Sequence, residues 1–353
     1  MTRNLLDNPV LAGPAGVQRS RNGADRRFSV APMMDWTDRH CRYFLRLISA
    51  RTRLYSEMIT APAVIHGDRV KLIGFDPAEQ PVALQLGGSN PDELSEAARI
   101  GEDLGYAEIN LNVGCPSDRV QSGRFGACLM AEPALVGSCV AAMREAVGVP
   151  VTVKCRIGID NQDAEEDLER FVSTVAGAGC TTFIVHARKA WLEGLNPKQN
   201  RDVPPLDYDR VYRLKDAHPD LEICINGGIE TLDGAQVHLE RCDGVMLGRA
   251  AYHNPYLLAD VDARIFGVSA DAPSREEVLE RYRSYAERHL RGGTRLHHLT
   301  RHLLGLYHGQ PGARAFRRFL TEESARRDAG IGVLNELLAR IGNARMYAAP
   351  VAE

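Results

Sequence analysis

The segment Asn110-Leu-Asn-Val-Gly-Cys115-Pro116 sets a thiol in a Gly/Pro turn directly after an apolar, strand-like run. A cysteine in such a turn is poised for exposure. A thiol of ordinary pKa, ~8.5, is mostly protonated near neutrality, so it can donate a proton as well as attack. Cys155 and Cys224 sit inside apolar runs instead, where a free cysteine behaves as a small hydrophobe. Lys154 closes another apolar run. An amine there can form a Schiff base or place positive charge beside an electron-accepting ring. Gln85 and His186, also at the ends of such runs, offer hydrogen bonds to a planar heterocycle. Asn226-Gly227-Gly228 and Gly248-Arg249 let backbone N–H groups approach a ligand closely, and Arg249 adds a cation suited to phosphate. An amide, a cation and an imidazole around one site suit a flavin better than sugar-phosphate chemistry. Residue type alone leaves Cys115 open as nucleophile, acid or bystander.

The elements that must position these groups are legible from hydrophobic pattern. Short β-rich runs at 28–31, 53–56, 82–86, 107–112, 151–155, 182–186, 222–226 and 244–247 alternate with helical patterns such as 91–104, 133–146 and 164–178. Eight strand–helix alternations predict an α/β fold of one kind, a closed parallel (β/α)8 barrel. The absence of a G-x-G-x-x-G after the first strand weighs against an open dinucleotide-binding sheet. Barrel enzymes gather their chemistry at the C-terminal strand ends and hold phosphate in the loops after strands seven and eight. Those ends carry Pro32, Met33, Glu57, Gln85, Asn110, Asn112, Lys154, His186, Asn226, Gly227, Gly248 and Arg249.

A barrel takes about 250 residues, which divides this chain of 353 into three parts. Residues 1–27 read as a mobile extension, because Asp7, Asn8 and Pro9 break any signal-peptide core. Residues 28–270 form the barrel. After Asp271-Ala-Pro273 the pattern becomes helical at 276–289, 300–307, 313–324 and 333–346, a helical domain over 274–347. That last part holds fourteen Arg, no Lys and eight acids, a net +6 against −9 on the remainder of a chain whose total is −3. Such asymmetry predicts an acidic body carrying a basic module. Arg314 and Arg317 lie three apart on one helical face, while Phe316 and Tyr307 read as core. The eight cysteines show no C-x-x-C pair and no His at ligand spacing, so no metal is expected, and buried thiols suit a reducing, cytoplasmic compartment. No apolar run reaches the length of a membrane span.

The motifs Ala31-Pro-Met-Met-Asp35, Gln85-Leu-Gly87, Asn112-Val-Gly-Cys-Pro116, Lys154-Cys-Arg156, His186-Ala-Arg188, Asn226-Gly-Gly-Ile229 and Gly248-Arg249 together resemble the tRNA-dihydrouridine synthases. The stretch His186-Ala-Arg-Lys-Ala-Trp-Leu-Glu-Gly-Leu-Asn-Pro-Lys-Gln-Asn-Arg201 is similar to the bacterial A-type subfamily, and the resemblance spans residues 28–346. It implies reduction of uridine to dihydrouridine at positions 20 and 20a of the tRNA D-loop, with bound FMN, NADPH as reductant and no obligate protein partner. Hydride would go to C6 of the uracil, and Cys115 would protonate C5. By motif position, Pro32, Met33, Met34, Gln85, Lys154, His186, Asn226, Gly227, Gly228, Gly248 and Arg249 would hold the flavin. Asn112, Lys198, Arg201, Arg314 and Arg317 would contact tRNA. Rival readings are a small-molecule FMN oxidoreductase (a pyrimidine or enoate reductase) on the same barrel, a Schiff-base barrel using Lys154, and a non-catalytic RNA-binding protein. The first leaves the basic module idle.

Overall fold

The computed structural model describes residues 25–117, 123–162 and 165–342. Eight strands pair in parallel in chain order: β1 (Phe28–Val30), β2 (Arg53–Thr60), β3 (Val82–Gly87), β4 (Glu108–Val113), β5 (Val151–Arg156), β6 (Thr182–His186), β7 (Glu222–Asn226) and β8 (Gly244–Leu247). β8 closes on β1, which makes the expected (β/α)8 barrel. Helices pack its outer face for reasons visible in their sequences. In Pro91–Asp103, Asn90 accepts the N–H groups of Asp92 and Glu93, proline occupies the first turn, and Leu94, Ala97, Ala98 and Gly101 form one buried stripe. A Cβ on Gly101 would stand 2.7 Å from Leu84 Cδ2 and 2.9 Å from Ile109 Cδ1, so this helix lies directly on β3 and β4.

Strand alternation sends every second residue into the barrel. Ala31, Tyr55, Ala83, Ile184, Cys224 and Met246 form its apolar interior. The sector on β3 to β5 is polar instead, carrying Gln85, Asn110, Asn112 and Thr152, all buried. At its base Glu108 is fully buried between two guanidiniums, with Arg26 Nε at 2.8 Å and Arg53 NH1 at 3.0 Å. Tyr55 OH and Thr152 Oγ1 donate to the same carboxylate at 2.8 and 2.7 Å. Burial opposes its ionisation, but Arg26 and Arg53 outweigh that and hold the carboxyl below its usual range.

Arg26 corrects one sequence expectation. It is buried and also reaches Glu222 at 2.9 Å, so the expected mobile extension does not include residues 25–27. The rest of that extension, residues 1–24, lies outside the described residues.

The C-terminal helices include Arg275–Arg291, Ala313–Ser324 and Gly332–Gly342. A capping box formed by Ser274 and Glu277 starts the first. Residues 300–307 do not form the single helix expected. Leu296–Thr300 is a short helix, followed by the 3-10 turn Leu303–Gly305. A Cβ on Gly305 would meet His253 O at 2.5 Å, so the chain is pressed against the segment after β8 and turns tightly there. Of the helix expected at 333–346, residues 343–346 lie outside the described residues. The helical unit shares one contiguous apolar core with the barrel. Asp38, which caps helix Arg39–Ile48 after β1, also pairs with Arg301 at 2.6 Å and His302 at 3.0 Å. Tyr43 stacks on Tyr285 with ring centroids 3.8 Å apart.

Removing one partner of a buried ion pair strands the other charge, at a cost of about 3–5 kcal/mol. Arg53 remains beside Glu108, so Arg26→Ala is expected at the lower end, about 3 kcal/mol, in urea unfolding. A loss under ~0.5 kcal/mol, the range of ordinary surface substitutions, would return Arg26 to a surface tail.

Candidate active site

The barrel register brings the predicted residues of β3 to β7 to one rim. Gln85 pairs with Asn110, Asn112 with Lys154, and His186 with both Arg156 and Asn226. Lys154 Nζ donates to Asn226 Oδ1 at 3.1 Å, and Asn226 Nδ2 donates to Met246 O at 2.7 Å. Burial, with Arg156 adding repulsion, lowers Lys154 to about 8. Burial also pushes His186 well below its usual range, helped by Arg156 and Lys154, so its imidazole is neutral and offers one donor and one acceptor. Gly227 must be glycine twice over. Its φ is +119°, and a Cβ would stand 2.7 Å from His186 Cδ2. Its carbonyl accepts from Tyr208 OH at 2.8 Å, and Gly228 follows with φ +66°.

Cations crowd the β6 and β8 side of the rim. Arg249, just after Gly248, pairs with Asp202 at 2.7 Å and is 43% exposed. Arg188 NH1 donates to the carbonyl of Pro204, but its Nε is buried with no hydrogen-bond partner among the described residues. Arg201 is made less basic by partial burial and by Arg249. Lys198 and Arg201 are exposed around the turn Gln199–Arg201. After β1, Pro32 and Met33 are half-buried, Met33 packs on the barrel's apolar interior, and Met34 is exposed. β2 runs on to Thr60, so Glu57 lies within the strand and not after its end as expected; it accepts the N–H of Asp35, and burial together with Asp38 pushes its carboxyl up.

The turn bearing Cys115 is pinned from two sides. Asn112 Oδ1 accepts the N–H groups of Gly114 at 3.1 Å and Cys115 at 3.0 Å. Cys115 O accepts from Ala127 N at 2.9 Å, and Arg156 Nε donates to Gly114 O at 2.9 Å. Arg156 NH1 also holds the carbonyls of Lys189 and Asn200, so one guanidinium ties the loop after β4 to the loop after β6. The sequence motif contains Arg156 but gives it no role. Its signal is the two-residue spacing from Lys154, which puts both on the inner face of β5. Six of the eight cysteines are buried, and the half-buried pair is Cys115 and Cys128.

Asn112 is buried, and both ends of its amide have internal partners, since Nδ2 donates to Gln85 Oε1 at 2.9 Å. Arg314 and Arg317 are exposed on helix Ala313–Ser324, whose Phe316, Phe319 and Leu320 face the core. Among the described residues, no ion pair holds either arginine and no hydrogen bond joins them to the rim. A shallow cleft of ≈330 Å³ lined by Ser173, His218 and Leu221 lies at the opposite end of the barrel and holds none of these residues.

Residues 29–342 match the family model described as Dihydrouridine synthase (Dus). A relative from Shewanella oneidensis, a tRNA-dihydrouridine(20/20a) synthase, is 59% identical over 310 residues, 88% of this chain and 92% of that one. A protein of the same name from Synechocystis is 59% identical, covering 88% of this chain and 93% of its own, and one from Vibrio cholerae is 57% identical, covering 89% and 96%. The solved structure of an old yellow enzyme homologue from Zymomonas mobilis superposes with a TM-score of 0.50 at 12% identity, over 70% of this chain and 90% of that one, a likeness of fold.

The depressed Lys154 has a pH signature. The folded state disfavours its charge, so the cost is fully present below about pH 8 and fades as pH rises towards the free-chain value of 10.5. Lys154→Met is therefore expected to stabilise the protein more at pH 7 than at pH 10. Equal urea-midpoint shifts at the two pH values would contradict the assignment.

Proposed function

We propose, from the premise that this chain belongs to the dihydrouridine synthase family, that it reduces the C5=C6 bond of uridine in the tRNA D-loop at positions 20 and 20a, with FMN bound at the barrel mouth and NADPH as reductant. The observation that carries this reading is the pinned Cys115 turn facing a rim of Gln85, Lys154, His186 and Asn226. The names of the relatives supply the substrate class and the positions.

The mouth suits a planar ring bearing a phosphate. Gly227, lacking a Cβ, lets His186 pack directly on its backbone, the neutral His186 and the Gln85 amide offer hydrogen bonds, and the buried Nε of Arg188 wants an acceptor. Pro32, Met33 and Met34 would line the ring, and Gly228, Gly248 and Arg249 would take the phosphate. Bound FMN would supply the hydride, regenerated from NADPH. The chain's own residues do the rest. Cys115 protonates C5 of the uracil, Asn112 and Arg156 hold its turn still, and Lys154 places positive charge at the rim.

A base buried in the tRNA elbow must leave its stack, which costs a few kcal/mol and is offset by phosphate contacts. Lys198 and Arg201 at the rim and Arg314 and Arg317 on the C-terminal helix supply cations for them. The eight free thiols fit a cytoplasmic location, where tRNA is found.

Cys115→Ala is expected to lose the general-acid contribution, a 10²–10⁴-fold fall in turnover worth about 3–5 kcal/mol. Unchanged dihydrouridine formation would remove Cys115 from the chemistry. Arg314→Ala combined with Arg317→Ala should weaken tRNA binding and lower its salt slope by about one for each phosphate no longer neutralised, with flavin reduction by NADPH unchanged. Impaired flavin reduction at full tRNA affinity would reverse that division of labour.

A further inference from the structure

We propose that Glu108, at the base of the barrel, is a positioning residue for the Cys115 turn at its mouth, acting through Thr152, Asn110, Gln85 and Asn112. What the turn then does rests on the function proposed above; the wiring itself does not.

The inference follows from counting donors and acceptors along one buried chain. An ionised carboxylate can only accept. Glu108 Oε2 takes Arg26 and Arg53, and Oε1 takes the hydroxyls of Tyr55 and Thr152. The single proton of Thr152 is thereby committed, so its oxygen must accept from Asn110, and Nδ2 donates to it at 2.8 Å. The other end of that amide, Oδ1, then faces Gln85 and accepts from Nε2 at 2.7 Å. Gln85 is left to present Oε1 to Asn112 Nδ2 at 2.9 Å. Asn112 Oδ1 is what remains for the N–H groups of Gly114 and Cys115.

Any one of these amides could be flipped in isolation. Joined, they have one orientation that satisfies every member. Flipping all three would aim Asn112 Nδ2 at two N–H donors and leave Thr152 with lone pairs against a carboxylate. Glu108, Asn110 and Thr152 are fully buried and Gln85 and Asn112 nearly so, which keeps bulk water from replacing a lost partner. A charge at the closed end of the barrel thus sets which atom meets the backbone of the candidate proton donor at the open end.

The test uses the full-length holoenzyme and three variants. Thr152→Val removes the hydroxyl at nearly constant volume, Thr152→Ser keeps it, and Glu108→Gln reverses the polarity. In the glutamine variant the two arginines draw the amide oxygen, the NH2 faces Thr152, and each amide beyond must turn over. Two quantities are read: kcat and KM for tRNA, and the rate of Cys115 alkylation by iodoacetamide in a Cys128→Ser background. Thr152→Val and Glu108→Gln are expected to lose about 10–10²-fold in kcat, the cost of a small misplacement. Their KM for tRNA should stay near the parent value, and alkylation should change several-fold. Thr152→Ser should restore both readouts. Parental kcat and alkylation in Thr152→Val would overturn the proposal, as would a serine variant no better than valine, which would mark a packing role. Alkylation needs no tRNA, so a fully active Cys115→Ala would sink the proton-donor reading while leaving this one standing.

Discussion

A carboxylate sealed inside a barrel must be neutralised, and in this protein that requirement organises the closed end of the fold. Glu108 draws a guanidinium from the segment before β1, another from β2, a phenol from β2 and a hydroxyl from β5. Three chain segments are thereby fixed around one charge on β4. A barrel interior can be filled with branched apolar side chains, and replacing a buried ion pair in that way is often neutral or stabilising. The polar choice therefore needs a use beyond stability. The use the geometry offers is orientation, because the polarity imposed at the base is carried along β3 to β5 to residues that face the mouth.

The open end is organised by a second carboxylate. Asp38 starts the helix after β1 and accepts Arg301 and His302 from the C-terminal helices. Trp36 beside it stacks on Tyr252, whose hydroxyl meets His302 at 3.2 Å. The helical unit is thus keyed to the same βα segment that carries Pro32 and Met33. Within the proposed function, RNA docking on the basic helices and chemistry at the mouth share one packed frame. The basic module of the sequence is a part of the enzyme's core and not an appendage on a tether.

Strands were legible because each is a short apolar run bounded by turn residues, and strand-end chemistry followed once those runs were counted. What escaped reading is what depends on distant pairing. Arg26 looks like one more charge at the end of a polar tail until Glu108 arrives 82 residues later. Arg156 looks like a solvated strand end until the carbonyls of Gly114, Lys189 and Asn200 surround it. Residues 300–307 carry a helical pattern, and the close packing of Gly305 on the backbone of His253, distant in sequence, is invisible in it. The resemblance implies a tRNA contact for Asn112, and nothing in its type or spacing shows the second task, the amide's bonds to Gln85 and to the Cys115 turn.

The mouth breaks several local rules at once, and it breaks them in one direction. Lys154 is buried until its ammonium is much less favoured than in water, the Nε of Arg188 is buried without an acceptor among the described residues, and burial and Arg249 depress Arg201. Each feature costs the free protein stability, and each would be relieved by an anion or an acceptor-rich ring. His186, held neutral by burial and by the same cations, adds no further charge. A fold selected for stability alone would place acids among these cations, yet among the described residues Asp202 is the carboxylate that pairs there, and Arg249 holds it. Strain of one sign, gathered at one end of a barrel, is the mark of a site built around what binds it.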